Sequence, residues 1–60
     1  MNAKREIDMS VEYSTGDSCT REGYYVCKSH PYLEIWAYEG DFFPNCDKVN
    51  CGRTEWWRLL

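Results

Sequence analysis

The stretch Cys27-Lys28-Ser29-His30, together with Cys46 and Cys51 further along, decides how this chain folds. Two residues separate Cys27 from His30, fifteen separate His30 from Cys46, and four separate Cys46 from Cys51. Thiolates and neutral imidazole are the ligands of structural zinc sites, and a tight turn lets two nearby residues reach one ion. The spacing therefore predicts a metal site at Cys27, His30, Cys46 and Cys51. With all four positions filled by protein, no water is left for hydrolysis.

The small size of the chain means that it needs something beyond a hydrophobic core to stay folded. A domain of 60 residues buries only about 60% of its unfolded surface and usually needs disulfides, a metal or a partner. Four cysteines allow three disulfide pairings. Residues 1–11 contain no apolar run of the kind that an export signal needs, which favours the cytoplasm, reduced thiols and a metal. No segment approaches the roughly 20 apolar residues that cross a bilayer, so no membrane partner is expected.

Alternating side chains near the start of the chain predict a half-buried strand. The apolar residues alternate strictly with polar ones; they are Ile7, Met9, Val11 and Tyr13. A helix is the lesser alternative, because Ile7 and Val11 are also four residues apart. If this strand ends the sheet, its free edge favours pairing with a partner or a second copy.

Three further stretches favour strands because they are rich in aromatic and β-branched residues. They are residues 24–27, residues 33–38 and residues 54–60. Turn signals lie at residues 14–17 and 39–41. We therefore expect a small, mostly-β domain over residues 6–60, with three to four antiparallel strands, after a flexible segment at residues 1–5.

The residues around the cysteines resemble a known family. The similar segments are Gly23-Tyr24-Tyr25-Val26-Cys27-Lys28-Ser29-His30, Glu34-Ile35, Glu39-Gly40-Asp41, Phe43-Pro44-Asn45-Cys46, Cys51-Gly52 and Thr54-Glu55-Trp56. Together they look like a small bacterial zinc-ribbon or rubredoxin-like protein, over more than half of the chain. The resemblance implies an antiparallel sheet with two metal-bearing loops. His30 stands where the family usually has cysteine, and the loop from Cys46 to Cys51 is longer than its usual two-residue gap.

Two questions about the site stay open in the sequence. Cys19 could replace His30 as the fourth ligand, although Cys-x-x-His is a far more usual pair than two cysteines with seven residues between them. The simpler reading of Cys19 is a free thiol. Four thiolates suit iron as well as zinc, whereas an imidazole ligand favours zinc. Zinc is therefore the expected metal and iron the alternative.

Composition directs the search for function to the surface. The net charge is −3, which disfavours nucleic acid as the main partner, and no catalytic constellation or phosphate loop is present. We predict a non-enzymatic module that contacts another protein. One alternative is a nucleic-acid-binding ribbon with a basic-aromatic patch, drawn from Lys48, Arg53, Trp57 and Arg58. The other is an iron-bound electron carrier. Most of the aromatic residues are expected in the core or over the metal loops.

Overall fold

The computed structural model describes residues 6–60, which form one antiparallel sheet. The strands in this part of the chain are β1 (Ile7–Ser14), β2 (Gly23–Cys27), β3 (Glu34–Ala37) and β4 (Glu55–Leu59). Their order in the sheet is β1-β4-β2-β3, so the predicted mostly-β fold with a four-stranded antiparallel sheet is confirmed. The flexible segment expected at residues 1–5 lies outside the described residues. Among residues 6–60, no helix is long and apolar enough to span a lipid bilayer.

Strand β1 forms an edge of the sheet, as the sequence predicts. The predicted strict alternation of its buried and exposed side chains is wrong in the middle of the strand. Asp8 pairs with Arg58, yet the next paired residue, Glu12, faces Trp57. The three residues between them form a bulge, and Met9 is 65% exposed. The Asp8 carboxylate accepts hydrogen bonds from the Ser10 backbone N–H and hydroxyl, a local turn that draws the chain out of the ladder. These bonds also lower the pKa of Asp8.

The core lies on one face of the sheet and is built from aromatic rings and cysteines. Phe43 is at its centre, stacked on Tyr13 with 4.9 Å between ring centroids and edge-on to Tyr25 at 4.9 Å. Trp56 is fully buried, and its indole N–H donates to the Pro44 carbonyl over 3.0 Å. This bond ties β4, one of the two inner strands, to the chain segment that leads into Cys46.

Both predicted turns form, and each uses a glycine in the left-handed region. Gly16 has φ 95° and Gly40 has φ 93°, values that residues with a Cβ seldom adopt. The Asp17 N–H donates to the Ser14 carbonyl over 2.9 Å, and the Asp41 N–H donates to the Tyr38 carbonyl over 3.0 Å. The first turn follows the end of β1 at Ser14, and the second follows the end of β3 at Ala37.

The expectation that aromatic residues lie in the core or over the metal loops holds for only part of them. Half of the ten aromatic side chains are exposed; they are Tyr24, Tyr32, Trp36, Tyr38 and Phe42. Of these, Tyr32 packs edge-on to His30 at 5.8 Å, so it does cover a metal loop. Opposite residues of an antiparallel pair share a face, and Tyr24 faces Trp36 on the side of the sheet away from the core. A sheet one layer thick has no second layer to cover that side.

Candidate metal centre

The sheet order brings the two cysteine loops together. Strand β2 ends at Cys27, and β4 begins just after the second loop. The two strands are antiparallel neighbours in which Cys27 faces Trp56, so the end of one lies beside the start of the other. The Lys28 N–H donates to the Glu55 carbonyl over 2.9 Å and extends the pairing into the loop. The first loop, residues 27–30, therefore meets the second, residues 46–51, at one end of the sheet.

The side chains of Cys27, His30, Cys46 and Cys51 point at one another, and their ligand atoms all lie within 4.8 Å. The Sγ atoms of Cys27 and Cys51 are 3.8 Å apart. His30 Nδ1 lies 3.6 Å from Cys46 Sγ and 3.9 Å from Cys27 Sγ. A zinc tetrahedron with Zn–S near 2.3 Å and Zn–N near 2.0–2.1 Å has edges of about 3.8 Å between sulfurs and about 3.6 Å between sulfur and nitrogen. These four residues could hold a metal ion.

Two left-handed residues shape the longer second loop. Asn50 has φ 64° and Gly52 has φ 63°, and asparagine is one of the few residues with a side chain that tolerates this region. The Cys51 N–H donates to the Lys48 carbonyl over 3.1 Å, and the Cys46 N–H donates to the Gly52 carbonyl over 2.8 Å. The two extra residues of the loop are thus taken up in a closed turn that leaves both thiols facing inward.

Hydrogen bonds prepare Cys27 to be a thiolate. Burial alone would raise the pKa of this thiol, but bonds from the Thr54 hydroxyl, the His30 ring and the backbone N–H groups of Ser29 and His30 outweigh it. Together they lower the pKa of Cys27 to about 6. Thr54 Oγ1 lies 3.3 Å from Cys27 Sγ. The role of Thr54 cannot be seen in the sequence, because a threonine before a strand carries no signal of a contact 27 residues away.

The surroundings of the Cys51 thiol make it hard to ionise unless a cation binds. Its pKa is raised to about 11 by burial first and then by the neighbouring sulfurs of Cys46 and Cys27. Three sulfurs this close repel one another when all are ionised. A divalent cation reverses that cost, because thiolates then bind it directly.

Metal binding should therefore release protons at neutral pH. Below about pH 11 the Cys51 thiol holds its proton, which must leave when the metal binds. The affinity for zinc should fall as pH falls, by about tenfold per pH unit for each proton displaced. Calorimetric titration with zinc at pH 7.5, in two buffers of different ionisation enthalpy, counts the protons. Equal heats in both buffers would contradict ligation by Cys51.

Cys19 lies outside this cluster, in a buried pocket of its own. It is 1% exposed; its thiol donates to the Arg21 carbonyl over 3.1 Å and lies 3.9 Å from the Tyr25 hydroxyl. Tyr25 donates to the same carbonyl over 2.6 Å, and burial raises the pKa of that phenol well above its ordinary value. All four cysteines are free thiols. The geometry thus groups His30, and not Cys19, with the other three candidate ligands.

The fold and the cluster define the class of protein. It is a small all-β domain with a four-stranded antiparallel sheet and a potential metal-binding Cys/His cluster, consistent with a zinc-ribbon-like fold. Comparisons of the chain with protein-family models, with curated proteins and with solved structures find no match. The likeness to zinc-ribbon and rubredoxin-like proteins therefore rests on the sheet and the cluster themselves.

Proposed function

We propose that this chain is a small zinc-stabilised module of the cytoplasm that acts by binding another protein and has no catalytic activity. The four clustered ligand atoms, spaced like the corners of a zinc tetrahedron, carry the metal part of the proposal. The imidazole in the set favours zinc over iron. With four protein ligands, the metal has no open coordination position, so its task is to hold the two loops together.

The surface supports a protein partner. Aromatic residues are enriched where proteins meet, because each ring contributes a large contact area. Here they stand exposed on the outer face of the sheet, where Tyr24 is 48% and Trp36 is 42% exposed. The net charge of −3 opposes contact with phosphates.

The basic-aromatic patch considered for nucleic acid is dispersed among the described residues. Trp57 and Arg58 are neighbours in β4, so their side chains point to opposite faces of the sheet. The Arg53 guanidinium donates to the Thr15 carbonyl over 3.0 Å. The Lys48 ammonium lies 5.3 Å from the centre of the Tyr32 ring. This arrangement favours a protein partner over nucleic acid.

The identity of the bound metal is tested by expressing the chain in medium that contains both zinc and iron. We expect one zinc per chain, a colourless protein and no redox wave, with unfolding by a chelator because metal binding supplies folding free energy. A coloured, redox-active protein with iron would support the electron carrier instead.

The partner is tested with the zinc-loaded chain as immobilised bait. A specific partner should be released by excess untagged zinc-loaded chain and should not bind a Cys27→Ser bait. Labelled RNA or DNA that stays bound to the bait after every protein has been competed away would favour the nucleic-acid alternative.

A further inference from the structure

A groove runs along the outer edge of β3, the last strand of the described sheet, between that strand and the segment that returns from the turn at Gly40. Its volume is about 430 Å³, and it is lined by Ile35, Trp36, Ala37, Asp41, Phe42 and Pro44. The walls are apolar except for the Asp41 carboxylate, which accepts a hydrogen bond from the Tyr38 N–H over 2.9 Å. We call this feature the β3 groove.

The backbone of Trp36 faces the β3 groove. Strand β3 is last in the sheet, and its pairing with β2 has the Cys27 N–H donating to the Leu33 carbonyl over 3.2 Å. In an antiparallel pair, hydrogen-bonded positions alternate along the strand, so Ile35 and Ala37 bond to β2. Trp36 lies between them and turns its N–H and C=O outward. Those groups can pair with an extended segment laid along the edge.

The other edge of the sheet is less suited to such pairing. Strand β1 is interrupted between Asp8 and Glu12, and a bulge disrupts the regular ladder that an added strand needs. The β3 groove also offers an apolar recess beside the edge, with Phe42 73% exposed on its wall. An incoming side chain can be buried there.

Exposed rings line the outer face beside the groove. Trp36 packs edge-on to Tyr24 with 4.7 Å between centroids and edge-on to Tyr38 with 5.8 Å. These three residues form the aromatic row. Because they support one another, their orientations are held before anything binds, and a guanidinium or ammonium group over such a ring is attracted to its π face.

The charge around the groove selects among possible occupants. Asp41 lines the groove, and residues 35–44 contain two acidic residues, Glu39 and Asp41, and no lysine or arginine. A second copy paired edge to edge would bring these acids together, and nucleic acid would bring phosphates against them. A positively charged segment is the complementary occupant.

We infer that the β3 groove binds an extended Arg- or Lys-containing segment of a partner protein. The segment adds a strand to β3 at Trp36, places an apolar side chain in the groove and lays a cationic side chain on the aromatic row. This inference rests on the proposed protein-binding function and specifies the chemistry of the partner.

The experiment titrates the zinc-loaded, ¹⁵N-labelled chain with two synthetic peptides of nine residues. One alternates Arg with Val, and the other alternates Glu with Val. We expect only the Arg peptide to bind, with the largest amide shifts at residues 34–44. Equal binding of the Glu peptide, or shifts centred on β1, would overturn the inference, as would an oligonucleotide that shifts the same residues more strongly.

Two exposed substitutions test the walls of the groove, and each has a matched control on the opposite edge. Phe42→Ser and Glu39→Lys should each weaken binding of the Arg peptide by about tenfold, as expected when a contact worth a little over 1 kcal/mol is lost. Met9→Ser and Glu6→Lys make comparable changes beside β1 and should leave the affinity for the Arg peptide unchanged. If the controls weaken peptide binding equally, the attraction is non-specific and the β3 groove is not the binding site.

The capture experiment separates this inference from the proposed function. A specific partner is one that excess untagged chain releases from the bait. If a Phe42→Ser bait retains that partner as well as the unaltered chain does, the β3 groove is not its binding site and the protein-binding function stands. If no partner is retained and the Arg peptide does not bind, both fail. Association of the chain with itself, measured by sedimentation and abolished by Phe42→Ser, would replace the cationic segment with a second copy.

Discussion

A Cys27→Ser chain is expected to lose zinc and to lose its fold. Cys27 is fully buried, ends β2 and faces Trp56 across the sheet, so its sulfur joins the metal site to the core. A serine hydroxyl stays protonated at neutral pH and is a poor ligand for zinc. Changes to groups that merely support a ligand already cost 10–100-fold in metal affinity, so loss of the ligand itself should cost more than about a hundredfold.

Metal analysis and amide NMR check this result together. The variant, purified with excess zinc and then dialysed, should contain little metal and show the narrow amide dispersion of an unfolded chain. The loss of fold follows because structural zinc contributes about 10–16 kcal/mol of apparent free energy in small zinc domains. That exceeds the roughly 3–9 kcal/mol of net stability expected for 60 residues.

Cys19→Ser is the matched control, because Cys19 is as buried as Cys27 but sits outside the cluster. A serine there can still donate to the Arg21 carbonyl, which the thiol contacts over 3.1 Å. We expect one zinc per chain and a loss of only about 1 kcal/mol of stability. If Cys19→Ser loses its zinc while His30→Ala keeps it, the set of four cysteines replaces the site that contains His30.

Much of this architecture follows from local patterns. Turn glycines and period-two stretches are short-range signals, so they locate the strands and the two turns that contain Gly16 and Gly40. The close pair Cys27 and His30 is also local, because a tight turn alone brings those side chains together. The sequence identifies the four candidate ligands by their residue types and spacing, whereas the meeting of the two loops depends on β4 lying beside β2.

Features that depend on long-range contacts are not predictable in this way. The bulge in β1 arises from the Asp8–Ser10 hydrogen bonds, which compete with the regular alternation of Ile7, Met9 and Val11. The contact of Thr54 with Cys27 depends on β4 lying beside β2. The exposure of Trp36 depends on the sheet having a single packed face, which composition does not reveal.

The core should support the metal site from a distance, and Trp56→Ala tests this. Trp56 is fully buried, lies near Phe43 with ring centroids 6.5 Å apart and donates to the Pro44 carbonyl. Truncating a buried tryptophan to alanine costs about 3–5 kcal/mol. The substitution leaves all four candidate ligands in place, so any change in metal affinity must come through folding.

Because metal binding and folding are coupled, the loss of folding stability in Trp56→Ala should appear as a loss of zinc affinity. We expect Trp56→Ala to weaken apparent zinc binding by about two to three and a half orders of magnitude, at 1.4 kcal/mol per tenfold. Competition with a chromophoric chelator measures the change. Trp36→Ala removes the same side chain from a position that is 42% exposed, so it should weaken zinc binding by less than about tenfold. An equal effect of the two substitutions would mean that the metal loops fold independently of the core, whereas the expected difference would show that the core and the metal hold one another in place.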